Sequence, residues 1–162
     1  MENTLNDQST IVQKVRAAIK DRALYLALLY RSFSQALPIE DAEHLARRAI
    51  FEYGTLRGMR DSEKMTPETW VDAHVSKGSA DVFESHIIKA TDHCEQQMTF
   101  CPLVEAWQEL GCSRKEIDLL CDIAMEVDRG RAIYHNIPLE ITHRIANGDP
   151  HCCLVLKISS EQ

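Results

Sequence analysis

The sequence has few glycines, only 6 in 162 residues, and they are scattered along the chain. It therefore lacks the glycine-rich loop with which many enzymes cradle phosphates. A Gly-x-Ser-x-Gly segment is also missing, which argues against a serine hydrolase of the nucleophile-elbow type. Neither Cys-x2-Cys nor His-Glu-x-x-His occurs, so the common local zinc signatures are absent as well.

Positive charge is in the minority, since 18 Lys and Arg oppose 25 Asp and Glu and give a formal net charge of -7. Duplex nucleic-acid binders need a basic surface that displaces counterions, so we expect no nucleic-acid partner. The longest apolar run, residues 23–30, is far shorter than the roughly 20 residues of a membrane span. The first residues lack the features of a signal peptide. We therefore expect a soluble, cytoplasmic protein without a membrane partner.

The chain is long enough for one domain, and 44% hydrophobic with 27% charged residues is ordinary for a globular protein. Apolar residues recur at helical spacing over residues 9–37 and again up to residue 60. Thr66-Pro67 is typical of a third helix start. The sequence predicts a single domain over residues 1–162, with a helical part at 1–78 and a motif-bearing α+β part at 79–158.

The second part of the chain alternates between strand-like and helical patterns. Two hairpins are predicted, the second around an Asn-Gly-Asp-Pro turn. The four strand segments are residues 82–90, 94–100, 139–145 and 152–158. Between the hairpins, Cys101-Pro102 begins one helix, and the capping box from Ser113 to Glu116 begins another that reaches Asp128. The predicted fold class is α+β, with N-terminal helices followed by a small antiparallel sheet with two intervening helices.

Polar side chains occupy apolar faces in the last 60 residues. Cys121 and Asp128 are seven residues apart, which places both on the same side of one helix. His143 and Cys152 fall on the apolar faces of the last two strands. Burying a carboxylate among apolar residues costs several kcal/mol unless it is paired, so such positions indicate a functional site.

Cys101 and Asp149 complete this set. Cys101 begins a helix, where backbone amides stabilise a thiolate, and Asp149 lies in a tight turn. Ordinary structural explanations also exist: a buried cysteine is most often a small hydrophobe, His143 can bond to backbone, and Asp128 can pair with a neighbouring arginine. The remaining cysteines and histidines considered are expected to be structural or surface residues: Cys94, Cys112, His44 and His74.

The six cysteines are expected to be free thiols, since the chain needs no disulfides to hold a core and shows no export signal. Thiolates together with imidazole suit zinc, and distant residues could assemble such a site. The one close cluster, His151-Cys152-Cys153, lies on a strand where neighbours point to opposite faces. No cofactor is assigned from the sequence, and zinc stays an alternative.

Three motifs occur in order: Cys101-Pro102 before an amphipathic helix, Cys121 with an acidic residue after it, and Gly148-Asp149-x-x-Cys152 before the last strand. Together, over about residues 80–158, they resemble the L-2-amino-thiazoline-4-carboxylic acid hydrolase family. The closing strand is also similar to one in ligand-binding domains of the 4-vinyl-reductase type.

The family resemblance implies an α+β fold and a small-molecule substrate. The implied reaction is hydrolysis of a cyclic amidine C–N bond, such as ring opening of 2-amino-thiazoline-4-carboxylate to a carbamoyl-cysteine. The candidate catalytic residues are Cys121, Cys152, His143, Asp128 and Asp149. The candidate substrate-binding residues are Cys101, Glu105 and Asp122.

Two chemical routes are open from the sequence. In one, a thiolate of Cys121 or Cys152 attacks the ring carbon, an acidic residue holds the amidine cation, and His143 acts as acid and base. In the other, water attacks directly and the cysteines shape the pocket or bind metal.

The chain departs from the family after the last motif cysteine. Related sequences often carry an aromatic residue and an arginine there, whereas Lys157 is the nearest cation here. Lysine cannot reproduce the planar two-point grip of arginine on a carboxylate, so the family's substrate does not follow from the resemblance alone. Two non-enzymatic alternatives are a small-molecule- or zinc-binding domain and a helical partner-binding protein whose N-terminal helices pack on a second copy as a homo-oligomer.

Overall fold

The structure is a computed structural model that describes residues 2–75 and 80–158. The N-terminal part consists of helices α1 (Glu2–Ala36), α2 (Ile39–Met59) and α3 (Pro67–His74). Pro38 separates α1 from α2 as the sequence predicts. Thr66 caps α3 by accepting the N–H of Thr69, and Pro67 occupies the first turn. The predicted end of this helix near Gly78 lies outside the described residues.

A four-stranded antiparallel sheet follows, with the strand order β1-β2-β4-β3. The strands are β1 (Ser85–Lys89), β2 (His93–Met98), β3 (Leu139–His143) and β4 (Cys152–Lys157). Both predicted hairpins are present. Residues 82 and 83, predicted as strand, instead end a short helix, α4 (Ala80–Phe83). The Arg16 side chain of α1 donates to the Val82 carbonyl at 3.0 Å and ties this turn to the first helix.

The connection between β2 and β3 contains more helix than the sequence predicts. Its helices are α5 (Pro102–Glu109), α6 (Arg114–Ala124) and α7 (Glu126–His135). Ser113 caps α6 as predicted. The helix expected to continue to Asp128 is interrupted at Met125, so three helices intervene where two were predicted. Asn136, in the left-handed conformation, ends α7.

Helices α2 and α7 touch along their backbones. Three glycines lie at this contact: Gly54 and Gly58 on α2 and Gly130 on α7. A Cβ atom on Gly54 would lie 2.2 Å from the carbonyl oxygen of Val127. Since no side chain fits in that space, glycine is what permits the approach.

Two apolar clusters fill the interior. One joins α1 and α2 to α5 and α6 around Trp107 and Leu120, and the Trp107 ring N–H donates to the Ala23 carbonyl at 2.9 Å. The other lies against the inner face of the sheet around Trp70 and Leu156. The α+β class predicted from the sequence is confirmed.

Across residues 2–75 and 80–158, no helix combines the length and the apolar character needed to cross a bilayer.

Candidate active site

A cavity of about 250 Å³ lies between the helices and the inner face of the sheet. Its walls come from α1, α2 and α4 to α7, and from β2 and β4, and most of the lining side chains are apolar, such as Phe83, Trp107 and Leu154. The volume is slightly below the roughly 300 to 1,000 Å³ of pockets for drug-sized ligands, so the cavity suits a smaller molecule.

Three thiols from distant parts of the chain line this cavity: Cys101 at the start of α5, Cys121 on α6 and Cys152 at the start of β4. All six cysteines of the chain are free thiols. Thiols are soft donors of the kind zinc prefers. Within the described ranges, however, no group of three or more His, Cys, Asp or Glu side chains is arranged to hold a metal ion.

Burial decides the protonation state of the thiols. It raises the pKa of Cys121 far above the ordinary range, and negative charge on Cys101 or Cys152 would raise it further. Burial also raises the pKa of Cys101, and the amides of Val104 and Leu103 at the helix start counteract it only in part. The expected helix-stabilised thiolate at Cys101 is therefore wrong, because desolvation outweighs the helix terminus.

Cys152 has a polar contact of its own. Burial raises the pKa of Cys152 to about 11, although the backbone N–H of Ile145 acts in the opposite direction. That N–H donates to the Cys152 sulfur at 3.3 Å. A donor aimed at the sulfur stabilises the thiolate, so Cys152 ionises at lower pH than Cys121.

Charged side chains add polarity to the apolar walls. Asp128 on α7 lines the cavity together with Cys121, although the two residues belong to separate helices. Arg57 on α2 and Arg22 on α1 reach the same cavity. In the part of the chain that the structure describes, no hydrogen bond or ion pair engages the charged groups of these three residues. The cavity thus offers one anionic and two cationic groups to a ligand.

Arg131 also lines the cavity, but its guanidinium is bound by other side chains of the protein. Its guanidinium binds both carboxylate oxygens of Asp61, at 2.8 and 2.9 Å, and lies 4.4 Å from the centre of the Trp70 ring. His135 Nδ1 accepts the N–H of Met65, so Nε2 carries the ring proton and donates to Asp61 at 2.9 Å. The side chains of Arg131 and Asp61 are only 3% and 6% exposed. No sequence signal marks this network, because Asp61 lies between the second and third predicted helices and belongs to no motif.

His143 lies outside the cavity. The pairing of β3 with β4 shifts its register between Ile141 and His143, which turns the imidazole to the exposed side. The ring stacks on His151, with centroids 5.1 Å apart, and its Nδ1 lies 3.1 Å from the Thr142 hydroxyl. The prediction that His143 faces the core is therefore wrong.

Asp149 and Glu105 lie away from the cavity as well. The Asp149 carboxylate accepts the backbone N–H of Arg144 at 2.8 Å and stabilises its own turn. Glu105 pairs with Lys20 at 2.8 Å in a separate surface cleft.

Asp122 belongs to an ion-pair network on the helix surface. Its carboxylate lies 2.8 Å from both Arg129 and Arg47. Burial acts to raise the pKa of this carboxyl, but the hydrogen bonds and charges of the two arginines outweigh it and hold the pKa below its usual value. The network ties α6 to α7 and α2.

Lys157, the nearest cation after the last motif cysteine, pairs with Glu140 on the exposed face of the sheet.

The two cationic groups of the cavity, Arg22 and Arg57, were not predicted from the sequence because the N-terminal helices carry no catalytic motif. One sequence signal could have led to Arg57: it lies between Gly54 and Gly58, and Gly-x-x-x-Gly spacing is typical of helices in close contact.

The family model for L-2-amino-thiazoline-4-carboxylic acid hydrolase matches residues 16–155 of the chain. The match includes most of α1 and all of α2, whereas the three sequence motifs covered only about residues 80–158. Among curated proteins, none is similar enough to count as a match. The match of the family model confirms the family resemblance that was inferred from the three motifs.

Proposed function

Because the chain belongs to the L-2-amino-thiazoline-4-carboxylic acid hydrolase family, we propose that it hydrolyses the ring of a cyclic amidine in the cavity between its helices and sheet. The family name supports hydrolysis. The observation that carries the proposal is the convergence of Cys121, Cys152 and Asp128, from three separate elements, on one small cavity. The proposed substrate is 2-amino-thiazoline-4-carboxylate.

Asp128 holds the protonated amidine in this proposal. A cation that enters an apolar cavity needs an anion beside it, and the Asp128 carboxylate has no other partner in the described part of the chain. Protonation makes the carbon between the ring nitrogen and the ring sulfur more electrophilic. Low polarity around the pair strengthens their attraction.

Cys152 is the candidate nucleophile. Its thiol ionises at lower pH than that of Cys121, and the N–H of Ile145 stabilises the negative sulfur. A bound amidinium would favour the thiolate further, because an opposite charge nearby lowers a thiol pKa. Asp128 accepts the thiol proton as the sulfur attacks the amidine carbon, and returns it to the ring sulfur as the ring C–S bond breaks.

The second half of the reaction releases the enzyme. Cys152 now carries an isothiouronium group, and water adds to its carbon while losing a proton to Asp128. The Cys152 sulfur then leaves and regains that proton. One water is consumed, the carbamoyl group remains on nitrogen, and the extra proton of the amidinium goes to solvent.

This scheme cleaves carbon–sulfur in place of the C–N bond expected from the resemblance. A ring sulfur can leave as a thiolate, whereas the ring nitrogen leaves only after an additional protonation. The two outcomes differ in product: C–S cleavage gives a free thiol with the carbamoyl group on nitrogen, and C–N cleavage gives a free amine with the carbamoyl group on sulfur. Thiol titration of the product distinguishes them.

Turnover of 2-amino-thiazoline-4-carboxylate by purified protein tests the proposal. We expect one new thiol per substrate consumed, and we expect Cys152→Ser to lower kcat by about a hundredfold or more. Cys153→Ser is the matched control, because this neighbouring sulfur lies on the opposite face of β4, 3.7 Å from Glu95. Absence of turnover in the wild-type protein would contradict the proposed function. Full activity of both Cys152→Ser and Cys121→Ser would exclude covalent catalysis by either thiol and would leave direct attack by water as the remaining route.

A further inference from the structure

The two cavity arginines from the N-terminal helices differ in burial. Arg57 is half-buried, whereas Arg22 is exposed. No hydrogen bond or ion pair within the described residues engages the Arg57 guanidinium. Keeping a cation partly desolvated without a directly bonded partner is costly, so Arg57 is positioned to bind an anionic group of a ligand.

We propose that Arg57 binds the carboxylate of the substrate and thereby restricts the enzyme to cyclic amidines that carry a carboxylate. This inference rests on the proposed function. Arginine donates two parallel N–H groups to a carboxylate, which fixes orientation as well as charge. Asp128 offers the opposite charge in the same cavity. The pair matches a zwitterion with a carboxylate at one end and an amidinium at the other.

Arg131 is unsuited to this role. It lines the cavity, but both Asp61 oxygens already bind its guanidinium at 2.8 and 2.9 Å. Lys157, the nearest cation after the last motif cysteine, is paired with Glu140 outside the cavity. The cation proposed to bind the carboxylate therefore comes from α2 and not from the last strand.

The contact between α2 and α7 fixes the positions of Arg57 and Asp128, the two residues proposed to bind opposite ends of the substrate. Arg57 lies between Gly54 and Gly58, the two α2 glycines that meet α7. Asp128 follows Val127, whose carbonyl oxygen fills the space in front of Gly54. Since the two backbones touch, neither helix can slide without a clash, and the charges are carried on a rigid frame.

The test compares 2-amino-2-thiazoline-4-carboxylate with 2-amino-2-thiazoline, which lacks the carboxylate. Both binding, by calorimetry, and steady-state turnover are measured for wild type, Arg57→Met and Arg57→Lys. Arg48→Met is the matched control, since Arg48 lies on the same helix, is 61% exposed and has only a 4.0 Å ion pair with Glu52. Circular dichroism and urea unfolding verify that the variants are folded.

We expect Arg57→Met to weaken binding of the carboxylated compound roughly a hundredfold and to leave binding of the analogue without a carboxylate nearly unchanged. Arg57→Lys should recover part of the loss, and Arg48→Met should behave as wild type. Unaltered preference in Arg57→Met, or loss of preference in Arg22→Met instead, would overturn the assignment. Wild-type protein that hydrolyses neither compound contradicts the proposed function, whereas equal hydrolysis of both contradicts only the role of Arg57. Calorimetry decides the carboxylate contact even without turnover.

Discussion

A Cβ atom on Gly130 of α7 would lie 2.1 Å from the carbonyl oxygen of Phe51 on α2. At this point the two helices therefore meet backbone to backbone. This contact joins the N-terminal helices to the part of the chain that carries the cysteine motifs. It also brings Arg57 to the cavity that Asp128 lines.

Gly130→Ala should destabilise the protein, because the added methyl group meets rigid backbone and not a movable side chain. We expect a loss of roughly 1 to 3 kcal/mol in the free energy of unfolding. An ordinary Gly→Ala change in a helix does the reverse and stabilises by up to about 1 kcal/mol. Urea unfolding gives the sign, and a gain in stability would refute the close contact.

Asp61→Asn should remove the charge that neutralises buried Arg131. Removing one partner of a buried ion pair costs about 3 to 5 kcal/mol, since the other charge remains without compensation. Glu140→Gln is the control, because its pair with Lys157 is half exposed and contributes no more than about 1 kcal/mol. Urea unfolding of both variants measures the contrast. Similar, small losses in the two variants would contradict a buried Asp61–Arg131 ion pair.

Alkylation of Cys152 should be slow at neutral pH and should accelerate with pH. Burial raises the pKa of this thiol to about 11, so the reactive thiolate fraction grows about tenfold per pH unit below that value. The rate with iodoacetamide can be followed by mass spectrometry of the tryptic peptide 145–157, in a Cys153→Ser background that leaves one thiol in the peptide. Rapid alkylation that does not change between pH 7 and 9 would show that the thiolate is already formed.

Asp122→Asn should lower stability at pH 7 without raising KM. The Arg129 and Arg47 contacts hold the pKa of the folded carboxyl below its ordinary value. Their stabilising effect is therefore present above the unfolded pKa, about 3.9, and disappears as the pH falls through the lower folded pKa. We expect a difference of roughly 1 to 3 kcal/mol at pH 7 that shrinks in acid. A large change in KM would return Asp122 to the substrate-binding role expected from the sequence.

Much of the fold follows from local sequence signals. Pro38, Thr66 and Ser113 mark helix boundaries that the structure has, and period-two alternation identifies β3 and β4. The interruption at Met125 had no such signal, since neither proline nor glycine occurs there. Beyond this interruption, α7 lies against α2 through Gly130, a tertiary contact that local sequence patterns do not report.

The site was predictable to a smaller degree. Cys121 and Cys152 line the cavity, and apolar periodicity correctly predicts that the helix and strand faces that carry them are buried. The same periodicity fails for His143, since a shift in strand pairing reverses the side of the sheet on which it lies. Arg57 and Arg22 could not be assigned, because a cation on an amphipathic helix has no distinguishing pattern until the cavity is known.

Strand β4 lies between β2 and β3, although it follows both of them in the chain. During synthesis, β1 and β2 can form their hairpin early, but β3 has no partner until β4 leaves the ribosome. Cys152 arrives on that same strand, so the sulfur proposed to attack the substrate is positioned in the step that completes the sheet. A nascent chain halted before β4 would expose the strand edges that β4 covers and would lack the proposed nucleophile, so this strand completes the sheet and the proposed site together.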